Sequence, residues 1–310
     1  MVYPRILVTG ADGLIGQALA RRLADWPGAD VLLTGRGPTS RATDFAGGYT
    51  PLDVTDGAAV EALMQDFAPG VVLHLAAMSK VEPCERDKQT CWAVNVDATA
   101  RLAAACHRHG ARLVFLSTDF VFDGQAGPYA EDDRPAPINA YGRSKLAAEN
   151  AIRSSRLREW AVVRTTLVYG HVAGEQRFNL VTFLARELAA GREIEVTTDQ
   201  VRTPTYAPDL AEGILRVVRY RKSGVFHLAG REVLSTYAFA ERVAERWGLD
   251  ASLLRPVTTD ALHPGAPRPL RAGLLILRAE AELGFRPRPL DVALDDLAPR
   301  LGLPAARPSP

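Results

Sequence analysis

From residue 6 to residue 16 the chain reads Ile-Leu-Val-Thr-Gly-Ala-Asp-Gly-Leu-Ile-Gly, and no other stretch restricts the fold so narrowly. A short apolar run ends in three glycines at every third position, Gly10, Gly13 and Gly16, which open a segment with helical spacing. Each glycine has a task that a Cβ would obstruct: a tight turn after the strand, close approach of backbone to a pyrophosphate, and close packing of helix on strand. The helix start then presents free N–H groups and a partial positive charge to the phosphates. A dinucleotide is the expected ligand of this turn, contacted by Gly10, Asp12, Gly13, Leu14, Ile15 and Gly16.

The alternation of apolar run, turn and helical stretch continues along the first half. Strands are expected at Ile6 to Thr9, Val31 to Thr34, Tyr49 to Leu52, Val71 to Leu75, Arg112 to Ser117 and Ala161 to Thr165. Helices are expected near Gly13 to Ala24, Ala58 to Asp66, Thr90 to His109 and Tyr141 to Ser154. The runs Val71 to Leu75 and Leu113 to Leu116 are continuously apolar, as strands covered on both faces require. The fold class is therefore α/β, a doubly wound parallel (Rossmann) sheet over residues 1–168. Residues 169–310 are read as a second, smaller C-terminal α/β substrate domain, with a stretch at about 199–229 returning to the first. Shorter helices are expected there at Phe178 to Ala190, Pro208 to Arg219 and Thr236 to Trp247, and the tail Pro304 to Pro310 is expected to be disordered.

Composition removes several function classes. Thirty-seven cationic and 36 anionic side chains leave a net charge of +1, so no bulk attraction to nucleic acid or to anionic lipid is expected. Cys84, Cys91 and Cys106 form no C-x-x-C pair, which argues against a disulfide framework and a thiolate metal site. No apolar run reaches the length that spans a bilayer. A cytoplasmic protein without a metal is the expectation.

Two positions extend the cofactor argument. The second strand ends in Thr34-Gly35-Arg36, where an acidic residue would hold the ribose 2′-hydroxyl of NAD and an arginine suits the 2′-phosphate of NADP. NADP(H) is accordingly expected ahead of NAD(H), on Arg36 first and Arg41 second; a solvated surface arginine is the bland alternative. Asp53, after the third strand, either accepts from the adenine or caps the next helix, and Val54, Leu75, Ala76 and Ala77 stand at strand ends that a cofactor would pass. Tyr141 and Lys145, one of only four lysines, lie four apart and so share a helix face. An ammonium beside a phenol, helped by the positive charge of an oxidised nicotinamide, is expected to bring the phenol's pKa down toward the working pH, preparing an acid for a carbonyl oxygen.

The stretch Leu116-Ser117-Thr118-Asp119-Phe120-Val121-Phe122-Asp123-Gly124, then Pro128-Tyr129, Pro135-Ala136-Pro137 and Tyr141-Gly142-Arg143-Ser144-Lys145-Leu146, resembles the dTDP-4-dehydrorhamnose reductase subgroup of the extended short-chain dehydrogenase/reductases. That subgroup also includes the regulatory β subunit of methionine adenosyltransferase. The resemblance runs from Ile6 to about Gly284. It implies an NAD(P)H-dependent reductase of a nucleotide-activated 4-keto sugar, with Thr118, Tyr141 and Lys145 catalytic, Asn95 structural, and Ser117, Asp119, Arg202 and Arg268 on the substrate. Phe120 in place of a second acidic residue argues against elimination of water. The alternatives are a non-catalytic NADP-binding regulatory subunit and an NAD-dependent nucleotide-sugar epimerase. The expected partner is the nucleotide sugar, with a homodimer among the assemblies this reading allows.

Overall fold

A computed structural model describes residues 5–26, 28–173 and 179–303. Its strands are β1 (Arg5–Thr9), β2 (Asp30–Gly35), β3 (Gly48–Pro51), β4 (Val71–His74), β5 (Arg112–Thr118), β6 (Trp160–Thr165), β7 (Val168–Tyr169), β8 (Ile194–Thr197), β9 (Val201–Arg202), β10 (Thr205–Tyr206), β11 (Gly224–His227), β12 (Leu234–Ser235) and β13 (Leu254–Val257). Its α-helices are α1 (Leu14–Ala24), α2 (Gly57–Phe67), α3 (Val81–Arg86), α4 (Lys88–Trp92), α5 (Ala98–His109), α6 (Ala140–Ser154), α7 (Leu180–Ala189), α8 (Ala207–Arg219), α9 (Thr236–Trp247), α10 (Thr259–Leu262), α11 (Leu277–Leu283) and α12 (Leu290–Leu297).

Seven strands form one parallel sheet in the order β11-β6-β5-β4-β1-β2-β3. Alternation of side chains across the sheet decides the layers. Ile6, Val8, Leu33, Leu73, Val114 and Val163 face α1, α8 and α11, whereas Leu7, Val72, Leu113, Phe115 and Val162 face α2, α5 and α6. The chain leaves β1 toward β2 and β3, then returns to place β4 on the other side of β1. Connections therefore diverge between β1 and β4, and such a switch point opens a crevice at the carboxyl ends of the strands.

A second core gathers β7, β8, β10 and β13 with α7, α9 and α12, around Leu184, Phe239, Val243 and Leu294. Before and after it the chain comes back to the sheet. Helix α8 packs on α1, and β11 pairs with β6, Val225 opposite Val162.

Three sequence expectations need correction. The sheet has seven strands, because Gly-Val-Phe-His at 224–227 is too short to signal itself by periodicity. The helix expected over Thr90 to His109 is interrupted by a π-helical turn at Ala93–Asp97. This wide turn carries Asn95, whose side chain accepts from Met78 N at 2.8 Å and donates to Met78 O at 3.0 Å, so the irregularity pins the loop after β4. Asp56, not Asp53, caps α2, accepting from Ala58 N and Ala59 N. Phe178 and the tail Pro304 to Pro310 lie outside the described residues.

Candidate functional site

The carboxyl ends of the central strands open into a cavity of about 1900 Å³ that extends from the glycine turn to the second lobe. All the residues singled out from the sequence for cofactor, chemistry or substrate line it, from Gly10 through Arg268.

The glycine turn is built for close approach. Gly10 has φ +72°, and a Cβ there would lie 2.7 Å from Ala76 N; one on Gly16 would lie 2.5 Å from Ala11 Cα. Gly13 stands at the N-cap of α1 without a side-chain cap, so no side chain competes for the first N–H groups of the helix. This is a cradle that a Cβ would fill, and it fits a dinucleotide pyrophosphate. Leu14, Ile15, Val54, Leu75 and Ala77 supply apolar wall beside it. Asp12 turns instead to the loop after β2, where its Oδ1 accepts from Arg41 N at 2.9 Å. Arg36 and Arg41 are exposed at the end of β2, open to a phosphate. Asp53 accepts from Thr55 N and Thr55 Oγ1 at 2.9 and 2.7 Å, bonds that hold its carboxyl below the usual range.

At the other end, Asn139 caps α6 by accepting from Gly142 N at 2.8 Å. Gly142 lets that helix press on the turn after β5, since a Cβ there would fall 2.1 Å from Phe120 O. Tyr141 is thereby held with its phenol on Thr118 and its ring edge-on to Phe120, centroids 5.7 Å apart. Lys145, one turn further, lies with Nζ 3.9 Å from the centre of the Phe115 ring. Burial decides both ionisations. It brings the Lys145 ammonium down to about 7, against the attraction of Glu149, and it raises the Tyr141 phenol. In the chain by itself, burial raises the phenol rather than lowering it, and Asp119 pushes the same way.

Ser117, expected on the substrate, donates its hydroxyl to Glu149 Oε1 at 2.6 Å. Glu149 is fully buried and also receives Arg164 Nε and Nη2 at 3.0 and 2.8 Å and Arg153 Nη2 at 2.8 Å. Here the Ser117 hydroxyl anchors α6 to β5. Asp119 is buried too, accepting from Thr118 Oγ1 at 3.0 Å and Thr166 Oγ1 at 2.8 Å, with Arg202 Nε at 3.1 Å. The remaining Arg202 donors reach Val201 O, Leu270 O, Pro269 O and Gln200 Oε1. In this arrangement the guanidinium is engaged on every side rather than standing as a free fork. Arg268 pairs with Glu82 on α3, joined by His263 at 3.5 Å from that carboxylate.

Several contributors escaped the sequence reading. Glu149 had a signal, since Lys145, Glu149 and Arg153 repeat every four residues on one helix face. Gly142 and Glu82 had none. Behind Tyr141, Cys84 and Cys91 form a small buried cluster with Ala140. His74 is buried with both ring nitrogens partnered, by Thr9 at 2.7 Å and Thr99 at 3.0 Å. Among the described residues no three His, Cys, Asp or Glu side chains gather as a metal site, and no helix is long and apolar enough to cross a membrane.

Comparison with known proteins gives concordant matches. A family model described as RmlD substrate binding domain matches residues 4–302. The dTDP-4-dehydrorhamnose reductase of Mycobacterium tuberculosis is 37% identical over 271 residues, covering 85% of this chain and 82% of that protein. The methionine adenosyltransferase 2 subunit beta of Danio rerio is 35% identical over 291 residues, 90% and 84% of the two chains. A crystal structure of dTDP-4-dehydrorhamnose reductase from Bacillus anthracis in complex with NADP superposes with a TM-score of 0.82 at 27% identity, covering 95% of this chain and 98% of that one.

Proposed function

The chain belongs to the RmlD substrate binding domain family, and from that premise we infer that it is an NAD(P)H-dependent reductase of a nucleotide-activated 4-keto sugar, similar to dTDP-4-dehydrorhamnose reductase. The observation that carries the chemistry is a phenol and a buried amine one helical turn apart, on a cavity that continues into the glycine cradle. Gly10, Gly13 and Gly16 would hold the pyrophosphate of NADP(H), with Arg36 and Arg41 on its 2′-phosphate. When bound, the reduced nicotinamide supplies hydride to the sugar's carbonyl carbon.

The side chains then have complementary tasks. Tyr141 carries its proton at neutral pH, as a phenol ordinarily does, and in that form can hand it to the carbonyl oxygen as negative charge develops there. The Thr118 hydroxyl, in contact with that phenol, fixes its direction, and Lys145, charged below about 7, stabilises the phenolate left behind. The second lobe brings Thr197, Gln200 and Arg268 to the far end of the cavity, where the nucleotide of the substrate would lie. Assembly as a homodimer is carried forward as part of this reading, and light scattering tests it.

Consumption of NADPH with a panel of dTDP-, GDP- and UDP-linked 4-keto sugars tests the proposal. Wild type should oxidise NADPH with at least one of them, and Tyr141→Phe should be slower by about 10²–10⁴-fold, the range of a lost general acid. The likeness to the methionine adenosyltransferase β subunit supports a second reading, a cofactor-binding regulatory subunit. Tight NADPH binding with no sugar consumed would replace the first reading by the second.

A further inference from the structure

Arg202 lies on β9, and its guanidinium reaches Asp119, just after the end of β5. It is 3% exposed, and its Nη groups are bonded to Val201 O, Leu270 O, Pro269 O and Gln200 Oε1. Only Nε remains, and it faces Asp119 Oδ2 at 3.1 Å. The carboxylate is buried and has three polar partners: Arg202, the Thr166 hydroxyl, and the Thr118 hydroxyl on Oδ1. Resting on the reductase reading above, we propose that Arg202 is a positioning residue that sets the direction of the Thr118 hydroxyl through Asp119.

The physical reason is the polarity of a hydrogen-bond chain. Thr118 has one hydroxyl proton. Asp119 Oδ1 takes it, which leaves the Thr118 oxygen to accept from Phe120 N at 3.2 Å. Burial pushes the Asp119 carboxyl up, and Arg202, the cation in contact with it, pulls the other way. Without Arg202, Asp119 takes up a proton and donates to Thr118. The Thr118 hydrogen then no longer has a fixed acceptor, and the hydroxyl beside the Tyr141 phenol loses its set direction. A second link runs through Phe120, whose ring lies 5.6 Å from the Arg202 guanidinium carbon on one side and edge-on to Tyr141 on the other.

The experiment compares wild type with Arg202→Met, Asp119→Asn and the double variant, reading kcat, KM for the keto sugar, and the calorimetric Kd of the matching nucleoside diphosphate. Loss of positioning should lower kcat by about 100-fold in each single variant, with KM and the nucleoside diphosphate Kd within about twofold. The double variant should be no slower than the worse single one, because both act through one contact. A nucleoside diphosphate Kd weakened about tenfold by Arg202→Met would make Arg202 a direct ligand and overturn the proposal; so would an unchanged kcat, or losses that multiply in the double variant. If Arg202→Met does not fold, Arg202→Lys takes its place; it keeps the charge without the fork and should recover part of the rate. A wild-type chain that consumes no keto sugar sinks the reductase reading, while the nucleoside diphosphate measurement still decides whether Arg202 is a ligand.

Discussion

Replacement of Glu149 by Gln tests the buried charge network behind the reacting centre. Glu149 and Arg164 are 0% and 1% exposed, and the carboxylate accepts two bonds from Arg164, one from Ser117 and one from Arg153. An amide keeps one acceptor oxygen and turns an N–H₂ toward groups that are themselves donors. Arg164 is then a buried cation without its counter-ion, a change that costs about 3–5 kcal/mol. Set against a typical total of roughly 5–15 kcal/mol for a folded domain, that loss is readily measured. The assay is urea unfolding followed by circular dichroism, with Glu149→Leu/Arg164→Met as the companion, in which both charges leave together. The double variant should recover most of the loss, since apolar replacement of a buried pair is often neutral. A deficit below about 1 kcal/mol, the value of an exposed pair, would refute the argument. So would a double variant weaker than the single one. Glu149 also supports the charge on Lys145. Its neutralisation should lower the Lys145 pKa further, so that kcat begins to fall at lower pH than in wild type.

Three further outcomes follow from other parts of the structure. Arg36→Asp should weaken NADPH binding by about tenfold or more and leave NADH binding equal or tighter, because the cation at the end of β2 becomes a carboxylate; unchanged relative affinity by fluorescence titration would remove Arg36 from the site. Burial holds His74 and His227 at about 3, below the 6.5 of an unfolded histidine, so the unfolded chain binds more protons between those values. Stability should therefore fall as pH drops from 6.5 toward 3, and His74→Gln should show a shallower decline in melting temperature over that window; an equal slope in both proteins refutes it. Gly142→Ala would place a methyl 2.1 Å from Phe120 O, shifting the start of α6 at a cost of about 1–3 kcal/mol and lowering kcat while NADPH still binds. Wild-type kcat in that variant would show that α6 does not place the phenol.

Local pattern carried most of the fold. The spacing of Gly10, Gly13 and Gly16 and the continuous apolar runs at 71–75 and 113–116 are short-range signals, and they locate β1, α1, β4 and β5 to within a residue or two. Strand β11 was not legible, because four residues beginning with glycine gain their identity only by pairing with β6, more than 60 positions earlier. The π-helical turn was hidden for a similar reason: Asn95 distorts its helix in order to reach Met78. At the site, Tyr141 and Lys145 could be read from a four-residue spacing. Their ionisation could not, since it depends on how completely water is removed from both. Arg202 shows the limit most clearly: its residue type suits a diphosphate, but the Asp119 carboxylate that engages it lies 83 positions away in the sequence and is its neighbour only in the folded chain.

The return of the chain to the sheet governs how the molecule can be divided. Cutting it after residue 168 would strip the apolar flank of α1, which α8 covers, and would leave β6 as an open edge for another chain to pair with. The dinucleotide half is therefore not a module that can be harvested by truncation. Repeated crossings also act as parallel tethers between the two lobes.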